Sequence, residues 1–70
     1  MSEKIISIPD RILRRAEVEA RTGLARSTIY GMVSKGDFPK PIRLTPGSVG
    51  WVSSEIDDWL LSRALSRPFN

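Results

Sequence analysis

The 70-residue sequence contains neither cysteine nor histidine. Without cysteine the chain can form no disulfide and has no thiolate to act as a nucleophile or a metal ligand. Without histidine it also lacks the commonest general base and the commonest metal ligand near neutral pH. In a chain this short, these absences exclude most enzyme classes, and we expect a binding protein with no catalytic residues, no cofactor and no metal.

Long apolar runs are also missing. The apolar stretch at residues 5–8 ends at Pro9, and it is shorter than the ~7–15 residues of a signal-peptide core and the ~18–20 residues of a membrane span. We therefore expect a cytoplasmic chain without a membrane partner. Residues 1–10 are predicted to be a flexible N-terminal arm, residues 11–66 a single domain, and residues 67–70 a frayed tail.

Positive charge is concentrated in the middle of the chain. The formal net charge is +3, yet residues 11–43 alone carry eight basic and three acidic residues. The flanking segments, residues 1–10 and 44–70, each carry a net charge of −1. A basic centre between nearly neutral ends fits a surface that binds a polyanion, although an ordinary solvated surface accounts for the charge equally well.

Two short helices are predicted in the first half of the domain. Residues 15–22 are mostly fair helix formers, and Gly23 follows them as a left-handed residue at a helix C terminus would. Residues 26–35 form the second helix, with apolar residues four apart on one face and Gly36 as its stop signal. Two helices joined by about three residues predict a helix-turn-helix unit.

A β-hairpin is predicted to follow. Residues 12–13 form at most a brief extended segment, whereas residues 42–44 and 49–52 form the two strands of the hairpin. In the turn between them, Pro46 presets the first central position and Gly47 accepts a positive φ at the second. We refer to residues 42–52 as the wing.

A third helix is predicted to open at Ser54, whose hydroxyl would act as the N-cap. Leu61 and Leu65 lie four apart and off the main apolar stripe of this helix; we expect them to extend the core, with an exposed apolar patch for a protein partner as the alternative. The main buried stripe of this helix consists of Ile56, Trp59 and Leu60. The predicted fold class is therefore α+β, mainly α: a small winged helix-turn-helix with three helices and a short β-hairpin wing.

Candidate nucleic-acid contacts follow from this arrangement, because the second helix of a helix-turn-helix enters the major groove with its N-terminal residues at the base edges. Arginine there pairs bidentately with guanine, and hydroxyl side chains reach bases or phosphates. Basic residues beside the helices and in the wing are placed for phosphate contacts. The predicted DNA-binding residues are Arg14, Arg15, Arg26, Ser27, Thr28, Tyr30, Lys35, Lys40, Arg43, Thr45 and Ser48. The alternative for each is a solvated polar side chain without a partner.

The order and spacing of several motifs closely resemble the AlpA family of small phage and prophage regulators. The most specific pieces are T-G-L-x-R-S-T-I-Y at residues 22–30, F-P-K-P at 38–41 and V-G-W-x-x-S-E-I-D-x-W at 49–59. The resemblance covers about residues 9–63. It implies a MerR-like winged helix-turn-helix that binds double-stranded DNA sequence-specifically and regulates transcription of prophage or mobile-element genes, at the nucleoid.

The resemblance also implies roles and alternatives. Arg26, Ser27, Thr28 and Tyr30 would be the contacts of the recognition helix, and Arg43 with the turn at residues 45–48 would be those of the wing. Related small proteins are excisionases, which bend DNA and direct an integrase, so that activity is the first alternative. A protein-interaction adaptor without specific DNA binding is the second. The protein partners to consider are RNA polymerase or an integrase, with the chain a monomer or weak dimer, cooperative on DNA.

Two positions depart from the family pattern. The family often has serine where this chain has Ala25, and alanine cannot cap the second helix with its side chain, a loss of about 1 kcal/mol. Family wings tend to carry a basic residue where this chain has Ser48. Arg43 is therefore expected to be the main charge of the wing.

Overall fold

The computed structural model describes residues 11–68, which form three helices and a three-stranded antiparallel sheet. In chain order the elements are β1 (Ile12–Leu13), α1 (Arg15–Thr22), α2 (Arg26–Lys35), β2 (Ile42–Thr45), β3 (Ser48–Val52) and α3 (Ser53–Leu65). The predicted fold class, a small α+β winged helix-turn-helix, is confirmed. The predicted arm, residues 1–10, and the last two residues of the predicted tail lie outside the described residues.

Left-handed glycines end both helices of the helix-turn-helix, as predicted. Gly23 has a φ of 73° and Gly36 a φ of 79°. The backbone N–H of Gly23 donates to the carbonyl of Glu19 at 2.8 Å, and that of Gly36 donates to the carbonyl of Val33 at 3.1 Å. Since a residue with a Cβ rarely adopts this conformation, these two glycines determine where the helices stop.

The sheet has β3 at its centre, with β1 and β2 on either side. Leu13 pairs with Trp51, and Arg43 pairs with Val49. The hairpin was expected, but the segment at residues 12–13 is more than a local extended stretch, because it pairs with β3 as an edge strand of the sheet. This pairing fixes the start of the domain against its last strand.

The wing turn differs from the prediction. Its strands continue to Thr45 and Ser48, and among the glycines of residues 11–68 only Gly23 and Gly36 have a positive φ. The prediction of a positive φ at Gly47 is therefore wrong. The Thr45 hydroxyl closes the turn instead, since it accepts the N–H of Gly47 at 3.3 Å and bonds the Ser48 hydroxyl at 2.7 Å.

The start of α3 also differs from the prediction. The helix begins at Ser53, Val52 occupies the N-cap position, and no side chain caps the helix. The prediction that Ser54 is the N-cap is wrong because β3 runs directly into α3 without a linker. The N–H of Ser53 donates to the carbonyl of Arg11 at 2.9 Å, so the backbone beside β1 satisfies one free donor of the helix start.

The core draws one large apolar residue from almost every element. Trp51 is fully buried at its centre, whereas Trp59 and Leu60 of the predicted stripe are half-buried and pack against it. The buried side chains are Leu13, Val18, Ile29, Phe38, Trp51 and Ile56. All four residues of β2, at the edge of the sheet, lie outside this core and are exposed.

Both tryptophans fix the loop that joins α2 to the wing. The indole N–H of Trp51 donates to the carbonyl of Pro39, and that of Trp59 donates to the carbonyl of Asp37, each at 2.8 Å. The ring of Phe38 meets that of Trp59 edge-on, with their centroids 4.7 Å apart. The position of the wing relative to α2 and α3 is set by these contacts.

The second half of α3 is exposed. Leu61 is 56% and Leu65 77% exposed, so the prediction that they extend the core is wrong. The buried residues of α3 are Ser53 and Ile56, in its first half, and the helix continues past the body that they contact. Within residues 11–68, no helix combines the length and apolarity needed to cross a membrane.

Candidate nucleic-acid interface

A concavity of about 310 Å³ lies between the start of α1, the first half of α2 and the wing. Seven of the eleven residues predicted from the sequence line it, and no acidic residue of the described part of the chain does. The lining consists of Arg14, Arg15, Arg26, Tyr30, Arg43, Thr45, Pro46, Gly47, Ser48 and Val49. We call this site the basic concavity.

Arg14 connects α1 to the wing. It occupies the N-cap position of α1, where its backbone N–H donates to the Glu17 carboxylate at 3.0 Å. Its side-chain Nε donates to the carbonyl of Val49 in β3 at 3.2 Å. That bond leaves the two terminal amino groups of the guanidinium for a ligand, and it holds the charge at the rim of the wing.

Arg26 is supported by an aromatic ring. Its guanidinium carbon lies 5.9 Å from the centroid of Tyr30, one helical turn further along α2. The Tyr30 ring in turn packs at 58° against Trp51, with centroids 6.1 Å apart. The chain of contacts from Trp51 to Arg26 anchors the exposed start of α2 to the core.

The arginines of the concavity differ in how far their charge is neutralised. Arg15 pairs with Glu19 on α1 at 3.0 Å. Arg14, Arg26 and Arg43 form no ion pair with a carboxylate of the described residues. The concavity therefore holds three guanidinium groups that no carboxylate of residues 11–68 neutralises, one from each of the segments that enclose it.

Ser27 and Thr28 lie in the first turn of α2 and are exposed beside the concavity rather than in its lining. Ala25 is the N-cap residue of this helix, with φ −77° and ψ 159°, and makes no side-chain cap hydrogen bond. The structure thus confirms that α2 lacks a side-chain cap, as the sequence predicted. The backbone N–H groups of its first turn donate no hydrogen bond to the side chain of Ala25.

The structure does not bring Lys35 and Lys40 into the basic concavity. Lys35 lies in the last turn of α2 and is exposed. Lys40 lines a separate groove together with Asp37, Glu55 and Asp58. These two lysines stand near the junction of α2 and the wing in the sequence, but neither lies in the concavity between α2 and the wing in the structure.

Val49 is the site residue that the sequence did not reveal. It contributes a carbonyl that holds Arg14, 35 residues away in the chain. No local pattern signals such a backbone contact. Among residues 11–68, no group of histidine, cysteine or carboxylate side chains is arranged to hold a metal ion.

Comparison with known proteins places this geometry in a family. The family model described as "Prophage CP4-57 regulatory protein (AlpA)" matches residues 11–64. The chain is 44% identical over 59 residues to the DNA-binding transcriptional activator AlpA of Escherichia coli K12, an alignment that covers 76% of this chain and 84% of that protein. It is 39% identical over 67 residues to the uncharacterized protein ORF88 of Enterobacteria phage P4, covering 90% and 76% respectively. The chain belongs to the AlpA family of prophage regulatory proteins.

Proposed function

We propose that the chain is a sequence-specific, double-stranded DNA-binding transcriptional regulator of prophage or mobile-element genes. In this proposal α2 reads base edges in the major groove, and the wing contacts the backbone or the minor groove. The observation that carries the proposal is the convergence of Arg14, Arg26 and Arg43 on one concavity without a carboxylate in its lining. The function of the E. coli relative, a DNA-binding transcriptional activator, agrees with it.

The charge distribution supports DNA as the ligand. Three guanidinium groups that pair with no carboxylate of residues 11–68 attract phosphates and release the counterions bound to them, which is the main source of affinity for duplex DNA. Thr45 and Ser48 add hydroxyl groups at the tip of the same concavity. Such groups fix the position of a protein on the duplex but do not read its sequence.

The start of α2 supports base readout. Arg26, Ser27 and Thr28 are exposed in its first turn, where a recognition helix presents side chains to base edges. The contact with Tyr30 restricts the rotamers of Arg26 before any ligand arrives, which lowers the entropy lost on binding. Arg26 is therefore the residue to which we assign most of the sequence preference.

The same proposal gives the cellular setting. A regulator of this kind acts in the cytoplasm, at the nucleoid, with RNA polymerase or an integrase as the protein partner. Within residues 11–68, α3 is the longest helix and ends at Leu65, so we propose a monomer or weak dimer that gains cooperativity on DNA.

The test is a selection of sheared host genomic DNA on the purified protein at ~150 mM salt, followed by sequencing, because a fixed salt makes specificity interpretable. Enrichment of promoters near phage or integrase genes supports the regulator. Clustered sites inside an attachment region would instead identify an excisionase. The matched pair is Arg26→Ala/Arg43→Ala and Arg63→Ala/Arg67→Ala, which remove equal charge inside and outside the basic concavity. Equal enrichment by both variants, or none by the folded wild type, would refute the proposal.

A further inference from the structure

A second depression, of about 820 Å³, lies on the other side of β2 from the basic concavity. It runs between the loop at residues 36–41 and α3. Its floor is apolar and is formed mainly by Phe38, Ile42 and Trp59. We call it the aromatic groove.

The floor of this groove is fixed but incompletely covered. Ile42 is 40% exposed, and Trp59 is half-buried. The hydrogen bond from Trp59 to the carbonyl of Asp37 and the edge contact with Phe38 hold the indole in one orientation. A rigid aromatic surface binds a ligand without the entropy cost of ordering its own side chains.

Charges on the rim decide what fits there. The carboxylates of Asp37, Glu55 and Asp58 line the groove, and none of them forms an ion pair within residues 11–68. Lys40 and Arg63 also line the groove, which leaves it a net charge of −1 and makes it less suited to the phosphates of DNA than the basic concavity. The three carboxylates attract a cationic side chain instead.

The chain itself shows which cation the floor accepts. The guanidinium carbon of Arg63 lies 5.1 Å from the centroid of the Trp59 ring. Arginine combines a stacking plane with a charge that pairs with carboxylates, and it binds at such sites better than lysine.

We propose that the aromatic groove is a docking site for an extended, arginine-bearing segment of a partner protein. A partner arginine stacks on Trp59 in place of Arg63 and pairs with Glu55 or Asp58. Ile42 and Arg43 line different surfaces of the domain, so this partner binds while DNA occupies the basic concavity. The inference does not depend on the identity of that DNA.

The experiment uses two synthetic peptides, acetyl-Ala-Arg-Pro-Arg-Ala-amide and the same peptide with citrulline in place of each arginine. Citrulline keeps the shape of the side chain and removes its charge. The two indole N–H signals of the ¹⁵N-labelled protein report binding, because Trp59 lines the groove and fully buried Trp51 donates to the carbonyl of Pro39 in the groove wall. We expect the Trp59 signal to shift saturably with the arginine peptide alone, and to shift further than the Trp51 signal. Equal shifts with both peptides, or none with either, would overturn the proposal.

Three variants locate the contact. Glu55→Gln/Asp58→Asn should weaken peptide binding by about tenfold, since both carboxylates that can pair with a bound arginine are removed. Glu19→Gln/Asp57→Asn removes the same charge outside the groove and should bind like the wild type. Arg63→Ala should bind the peptide more tightly, because a competing guanidinium is gone. If both double variants weaken binding equally, or if Arg63→Ala weakens it, the groove is not the site.

Discussion

Ile42 and Arg43 are consecutive residues of β2, yet they line different surfaces of the domain. Arg43 lines the basic concavity, and Ile42 lines the aromatic groove. Successive side chains of a strand point to opposite faces, so one short edge strand separates the two surfaces. Substitutions of the Ile42 and Arg43 side chains should therefore act on different surfaces.

Lys40, in the aromatic groove, and Arg43, in the basic concavity, should differ in their effect on DNA binding. Arg43→Ala should lower the slope of log affinity against log salt by about one, as expected for one lost phosphate contact. Lys40→Ala should leave that slope unchanged, because Lys40 lies in the groove with three carboxylates. Fluorescence anisotropy on a labelled duplex at several salt concentrations measures both slopes. A fall for Lys40→Ala equal to that for Arg43→Ala would contradict the separation of the two surfaces.

Arg26 should control sequence preference. Arg26→Ala should cost about 1–3 kcal/mol on the preferred duplex if its contact is bidentate, and much less on an unrelated duplex. Arg26→Lys keeps the charge but lacks the planar fork, so it should retain non-specific binding and lose the preference. Competition between the two duplexes at one salt concentration measures the ratio of affinities. Arg67→Ala is the control, since that residue is exposed and lies outside both surfaces. A ratio unchanged by Arg26→Ala would remove Arg26 from base readout.

The helices were predictable because their boundaries are marked locally. Gly23 and Gly36 stand where a left-handed residue is needed, and both predicted helices match the observed ranges. The start of α3 was not predictable in this way. Ser54 satisfies the local capping pattern, but direct continuation from β3 moves the N-cap to Val52. A tertiary constraint prevailed over a side-chain preference there.

The site was predictable in its residue types but not in its arrangement. Exposed polar residues at the start of α2 follow from the helix-turn-helix pattern. The contact of Arg14 with Val49 spans 35 residues and depends on where β3 passes α1, which no local pattern encodes. The separation of Lys40 from Arg43 likewise depends on the loop held by Trp51 and Trp59. Proximity in sequence could not reveal the boundary formed by β2.

The N-cap of α2 offers a stabilising substitution. Ala25 has the backbone conformation of an N-cap residue without a side-chain cap, so Ala25→Ser should supply an acceptor for a free N–H of the first turn. We expect a gain of about 1 kcal/mol and a rise in Tm of about 4–8 °C for a domain of this size. Ala16→Ser, inside α1, is the control and should not stabilise the chain. Thermal unfolding followed by circular dichroism measures both. A Tm for Ala25→Ser no higher than that of the wild type would show that this helix start does not accept a cap.

Gly50 should be the least replaceable glycine of the chain, because of space rather than backbone conformation. A Cβ at this position would lie 2.3 Å from Cγ2 of Ile12, 3.1 Å from the carbonyl oxygen of Leu13 and 3.1 Å from Cδ1 of Leu44. Gly50→Ala should therefore destabilise the domain by about 1–3 kcal/mol, the usual range for overpacking. Denaturant unfolding measures this loss.

Gly31→Ala is the matched control for this substitution. Gly31 lies inside α2 with open space around its Cα, so alanine there should stabilise the chain by about 0.5–1 kcal/mol. The obstacle at Gly50 can be identified by a double-mutant cycle with Ile12→Ala, which removes the nearest methyl group but leaves the Leu13 carbonyl in place. Gly50→Ala should cost less in the Ile12→Ala background than in the wild type. An equal cost in both backgrounds would show that the Ile12 methyl group is not the obstacle, and would leave the Leu13 carbonyl and the Leu44 side chain as the groups that exclude a Cβ.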